Sequence, residues 1–178
     1  MNQLALHLTA REPPPPQQHS SQVSPQDTTS RYTIETIRVQ LNASEPRPTE
    51  IVGTTNQAIA VLHRLFATLE PDQEHFLILA LNAKLAILSY KLISSGGQSD
   101  AIVDAKLVFR HALLMGASRI ILSHSHPSGN PTPSPEDLQI TEHLTYAGRH
   151  LEIPVIDHII IAPPDGSYSF AQSGCLPK

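Results

Sequence analysis

Cysteine, tryptophan and charge are all scarce in this chain. It holds one cysteine and no tryptophan, and charged residues make up only 16% of it. A lone Cys175 cannot close an intrachain disulfide, so any cross-link in the fold has to come from a metal, and a reducing, cytoplasmic setting is the default. Long apolar runs are missing too. The longest, residues 76–81, falls far short of the roughly 20 residues that a membrane-spanning helix needs. Residues 1–9 place no basic side chain ahead of their short apolar stretch, so neither a secretory signal nor a membrane anchor is expected. Positive charge is not in excess. Twelve Lys and Arg against sixteen Asp and Glu leave a net charge of -4, which creates no general pull toward phosphate, and nucleic-acid binding gets no support from charge.

What the chain does have is proline and aliphatic side chains. Residues 1–30 contain the run Pro13, Pro14, Pro15, Pro16 followed mainly by Gln and Ser, too polar to bury a core, and are read as a disordered tail. A proline-rich docking peptide is the functional alternative for this stretch. Residues 31–178 are left, a usual size for one domain.

Within that domain, alternation from Tyr32 suggests a first strand. Thr54 with Gln57 three residues on is a capping-box pair, and Ala58, Leu62, Leu65 and Leu69 follow at helical spacing until Pro71. Residues 76–81 and 85–93 flank Asn82, Ala83 and Lys84 and predict a hairpin. Leu107 and Leu114 belong to a second helix that stops near Gly116. A strand over 119–123 comes next. Ser134 as N-cap, Pro135 at the first helical position and acidic Glu136 and Asp137 predict a third helix, with Ile140, Leu144, Ala147 and Leu151 facing inward. A buried strand over 155–162 and a short one around 168–170 close an α/β (α+β) domain.

Chemistry concentrates in residues 123–137. His124 and His126 are two apart, and if the strand runs on, period two places both imidazoles on one face, with Cα atoms about 6.6–6.8 Å apart. Pro127 ends the ladder, Gly129 permits a sharp turn, and Asp137 returns on the first turn of the helix. Two imidazoles and a carboxylate are the usual protein ligands of a catalytic zinc. Ordinary loop histidines and a plain helix cap fit the same spacing.

The full stretch, Ser123-His124-Ser125-His126-Pro127, seven residues, Ser134, two residues, Asp137, closely resembles the JAMM signature of the JAB/MPN metallohydrolases. His126-Pro127-Ser128-Gly129-Asn130-Pro131, Ile140-Thr141, Ile153-Pro154-Val155 and Asp157-His158-Ile159-Ile160, with Ser169-Phe170, look like its RadC branch. The similarity runs over residues 74–170. It implies a single JAB/MPN-type, cytidine deaminase-like domain with a mixed central sheet flanked by helices. One zinc ion would be held by His124, His126 and Asp137, with Ser134 assisting at the oxyanion. It also implies a glutamate near the start of a central strand, which Glu74 matches, as general base and then acid; Glu70 and Glu50 are the other acidic candidates. The activity implied is hydrolysis of peptide or isopeptide bonds, with a protein or peptide as substrate.

The match has departures. The RadC branch is expected to carry Asn where Ser125 stands, although Ser125 fits the wider signature, and Pro-Arg-Glu where Ala105, Lys106 and Leu107 stand. Longer RadC proteins carry a helix-hairpin-helix region for which this length leaves no room. The rival function is a metal-stabilised binding module that acts with DNA-repair or mobile-element proteins without hydrolysing anything. It predicts a fourth structural ligand or an occluded site. A cytidine-deaminase activity would need a Pro-Cys-x-x-Cys ligand pair and is excluded by the single cysteine. His63, His111, His143 and His150 fall in predicted helices and are read as structural. His158 is read likewise, because it and Asp157 must point to opposite faces of a strand.

Overall fold

The computed structural model describes residues 50–96 and 103–178. The tail expected over 1–30 and the strand expected from Tyr32 lie outside the described residues.

A run such as Phe76 to Leu81, apolar at every position, suits a strand covered on both faces. β1 (His75–Leu81) is buried at each of its residues. Phe76, Ile78 and Ala80 share one hydrophobic cluster, whereas Leu77, Leu79 and Leu81 join a second on the opposite face. The two clusters are the two sides of one sheet. β2 (Ile87–Ser95) and β3 (Arg119–Ser125) flank β1, both antiparallel to it. β4 (Val155–Ala162) runs parallel to β3, and β5 (Gly166–Ser169) closes the order β2-β1-β3-β4-β5. Parallel neighbours need a long crossover, supplied here by α3 (Pro135–His150).

Helices cover both faces. α1 (Thr55–Phe66) buries Ala58, Val61, Leu62 and Phe66 in the cluster that holds Leu77, Leu79 and Leu81. α2 (Ala105–Leu114) and α3 bury Val108, Phe109, Ala112 and Leu144 in the cluster that holds Phe76, Ile78 and Ala80. The mixed α/β architecture matches the sequence expectation. No helix among the described residues is long and apolar enough to cross a membrane.

Several details differ from expectation: β3 runs on to Ser125 and β5 lies at Gly166–Ser169. Leu85 belongs to the hairpin turn rather than to β2: its φ is 62°, and the Asn82 side chain accepts from the backbone N–H groups of Lys84 and Ala86. α1 ends before Leu69, whose N–H bonds the Phe66 carbonyl in a tightened last turn. The buried face of α3 is Thr141, Leu144, Thr145 and Gly148, while Leu151 is 43% exposed. This stripe begins one turn after Asp137, and apart from Leu144 it consists of small residues that a search for aliphatic periodicity passes over. Gly148 belongs to it because the chain returns close by: a Cβ there would stand 2.6 Å from the Ile153 carbonyl oxygen.

His111 illustrates a satisfied core histidine. Its Nε2 lies 2.9 Å from the Ser89 hydroxyl. Burial, helped by Lys91, pushes its pKa down to about 4. The folded pKa is therefore below the unfolded value of about 6.5, so the contribution of His111 to stability is complete above that value. It is lost as pH falls toward 4, at about 1.4 kcal/mol per pH unit and roughly 3 kcal/mol in all. Urea unfolding at stepped pH should show a shallower acid decline for His111→Gln than for the natural chain over that window. Equal slopes would refute the assignment.

Candidate metal centre

Strand register brings the site together. Phe76 pairs with His124 across β1 and β3. His124 therefore lies on the α2/α3 side of the sheet with Ile120 and Leu122, and its ring stacks on Phe76 at 6.1 Å with planes 8° apart. β3 ends at Ser125, but the ladder continues for one more bond, His126 N–H to the Ile161 carbonyl at 2.8 Å. The extended path expected from the sequence holds, and the His124 and His126 rings sit 4.7 Å apart. Gly129, at φ 76°, then turns the chain toward α3.

Ser134 caps α3 as expected. Its hydroxyl accepts from the Asp137 N–H at 3.1 Å and donates to Asp137 Oδ2 at 2.7 Å, and its own N–H donates to the same oxygen at 2.7 Å. Asp137 Oδ1 is thereby left to face His124 Nε2, at 2.9 Å. His126 Nε2 is 2.9 Å from His124 Nε2 and 3.4 Å from Asp137 Oδ2. Ligand atoms of the three residues all lie within 4.8 Å of one another.

The donor set fits a divalent cation. A tetrahedral zinc with ligands at about 2.0–2.1 Å separates them by roughly 3.3 Å, close to the spacings here. Proton counting points the same way. His126 Nδ1 is 2.8 Å from the Asn130 carbonyl, which can only accept, so its proton sits on Nδ1 and the bare Nε2 faces the carboxylate. Acceptors converge with too few protons between them, and a positive charge in their midst resolves the conflict. Burial alone would raise the Asp137 carboxyl, but in the metal-free chain an imidazole that takes up a second proton donates to it from Nε2, and these bonds of His124 and His126, with the Ser134 N–H, hold it well below the usual carboxylate range. The bond to Asp137 raises His126 above its ordinary value against the opposing effect of burial, and the charge of Glu74 adds to the rise.

Glu74 is exposed and precedes β1. Extending the Phe76–His124 register by one pleat sets it level with His126. It shares a cleft of about 1350 Å³ with His124, His126, Ser134 and Asp137. Neither alternative carboxylate lines that cleft. Glu50 is paired with Arg64 at 2.6 Å on the surface, and Glu70 offers its carbonyl to His75 Nε2. Ser123 and Ser125 serve the backbone, donating to the Ile159 carbonyl and accepting from the His75 N–H.

His158 and Thr141 were not among the expected site residues. His158 Nε2 is 2.9 Å from His124 Nδ1, and its Nδ1 is 2.5 Å from the Thr141 hydroxyl. Full burial pushes the His158 pKa well below the ordinary imidazole value. Asp157 does point to the opposite face, where it accepts from Ser169 and the Ala171 N–H. The signal available for His158 was that same alternation, which sets it opposite Asp157; the β3–β4 register then places it on the His124 side. For Thr141 it was the four-residue step from Asp137 along one helix face.

Comparison with known proteins places the chain in a family. The family described as a RadC-like JAB domain matches residues 52–175. The chain is 38% identical over 125 residues to a UPF0758 protein of Gloeothece citriformis, covering 70% of this chain and 51% of that one. It is 46% identical over 95 residues to a UPF0758 protein of Caldanaerobacter subterraneus, covering 53% and 41%. The chain thus spans about half the length, or less, of these curated relatives.

Proposed function

The chain belongs to the RadC-like JAB domain family, and on that premise we propose that it is a zinc-dependent hydrolase of peptide or isopeptide bonds. The observation that carries the reading is the convergence of His124, His126 and Asp137 in a cleft that Glu74 and Ser134 also line. A zinc ion held by those three side chains supplies Lewis acidity and lowers the pKa of a water toward neutrality. The remaining work falls to the chain's own groups. Glu74, at the mouth of the cleft, accepts the proton of the attacking water and delivers it to the departing amine. Ser134 donates to the carbonyl oxygen as negative charge develops on it. For this its hydroxyl proton must rotate off Asp137 Oδ2, which keeps the Ser134 N–H as a partner.

The rival reading, a metal-supported binding module, requires a fourth structural ligand or a closed site. Among the described residues the cluster holds three candidate ligands and borders a large cleft, which favours the hydrolase.

The test is elemental analysis of the purified full chain together with a screen of peptide and isopeptide substrates. The expected outcome is close to one zinc per chain and a cleavage activity that a chelator removes and zinc restores. Failure to bind zinc, or cleavage indifferent to the chelator, would sink the reading.

A further inference from the structure

Behind the three side chains of the candidate site lies a buried chain of hydrogen bonds whose direction is determined by its last member. His158 and Thr141 are fully buried. Phe170, also fully buried, stacks on His158 at 5.0 Å with planes 12° apart. The Thr141 hydroxyl has two neighbours, the Asp137 carbonyl oxygen at 2.5 Å and His158 Nδ1 at 2.5 Å. A hydroxyl has one proton to give, and a carbonyl can only accept. If that proton went to His158, two oxygens would confront each other at 2.5 Å with nothing between them. The hydroxyl therefore donates to the carbonyl, and His158 must donate to the hydroxyl from Nδ1. A neutral imidazole carrying its proton on Nδ1 has a bare Nε2, which accepts from His124 Nδ1 at 2.9 Å. The proton on His124 Nδ1 leaves its Nε2 with a lone pair directed at Asp137 Oδ1.

We propose that Thr141 and His158 are positioning residues for the metal centre: together they set the tautomer and ring orientation of His124 and tie it to the helix turn that carries Asp137. The relay joins ligands contributed by β3 and α3 through β4, so the sheet and the helix cannot shift independently without breaking it. Partners of this kind typically change metal affinity 10- to 100-fold when removed. The proposal rests on the zinc reading above for the identity of the cation, but the proton positions do not depend on it.

Two measurements on the full chain test it. Imidazole nitrogen NMR of the metal-free protein at alkaline pH is expected to show His158 protonated on Nδ1 and bare on Nε2; protonation on Nε2 would reverse the relay and overturn the proposal. Zinc affinity, read by competition with a chromogenic chelator, is expected to fall about 10- to 100-fold in Thr141→Val and to return to within about threefold of the natural chain in Thr141→Ser. A folded Thr141→Val that binds zinc as tightly as the natural chain would also overturn it. If Thr141→Val does not fold, the NMR result and the Thr141→Ser affinity decide, and a loss of ten-fold or more in the serine variant counts against the proposal. A natural chain that binds no zinc but shows the expected His158 tautomer would defeat the hydrolase and leave the relay standing.

Discussion

Asp137→Ala is expected to weaken zinc binding by on the order of 1000-fold, more than the 10- to 100-fold that loss of an outer partner costs. The reason is its double duty. Oδ1 faces His124, while Oδ2 takes two hydrogen bonds from Ser134 that aim the carboxylate. Alanine removes the negative charge that, among the described residues, meets both imidazoles, and it also dismantles the reciprocal cap of α3, a loss of about 1 kcal/mol in stability. Asp137→Asn separates these effects, because its amide oxygen still accepts from the Ser134 N–H while the charge is gone. Thermal melting should rank asparagine near the natural chain and alanine below it, whereas zinc titration should show both as weak binders. Undiminished zinc in Asp137→Ala would remove it from the ligand set.

The second large effect separates binding from turnover. Glu74→Gln should keep its zinc and its fold, since the side chain is exposed, and lose about 100- to 10,000-fold in kcat with KM little changed. Carboxylates of Asp104 and Glu136 also border the cleft and provide the comparison. If Glu74→Gln turns over normally while Glu136→Gln does not, the proton carrier lies at the start of α3 and the reading of Glu74 is wrong. The expectation for Glu74 comes from position: antiparallel pairing of β1 with β3 brings it to the same cleft as His126 although the two are far apart in sequence.

That pairing also marks the limit of what local pattern could disclose. The helix start at Ser134 was readable because capping chemistry, a first-turn proline and acidic neighbours act within four residues. The strand was readable from Arg119 to Ser123, its continuation through His124 only as a condition, and the opposition of Asp157 and His158 needs only the pleat. The inward face of α3 was misread at Leu151, because its stripe of Thr141, Thr145 and Gly148 makes sense only against the groups it touches.

By itself, then, the order of residues determined which candidate ligands share a strand face and where the helix bearing Asp137 begins, since both follow from backbone periodicity and short-range hydrogen bonding. Tertiary structure alone decided that Glu74 shares a cleft with His126, that Glu50 and Glu70 lie elsewhere, and that His158 and Thr141 back His124. Those placements depend on strand register and on which helix face is buried, and both are settled by burial of side chains distant in the chain rather than by any neighbouring residue.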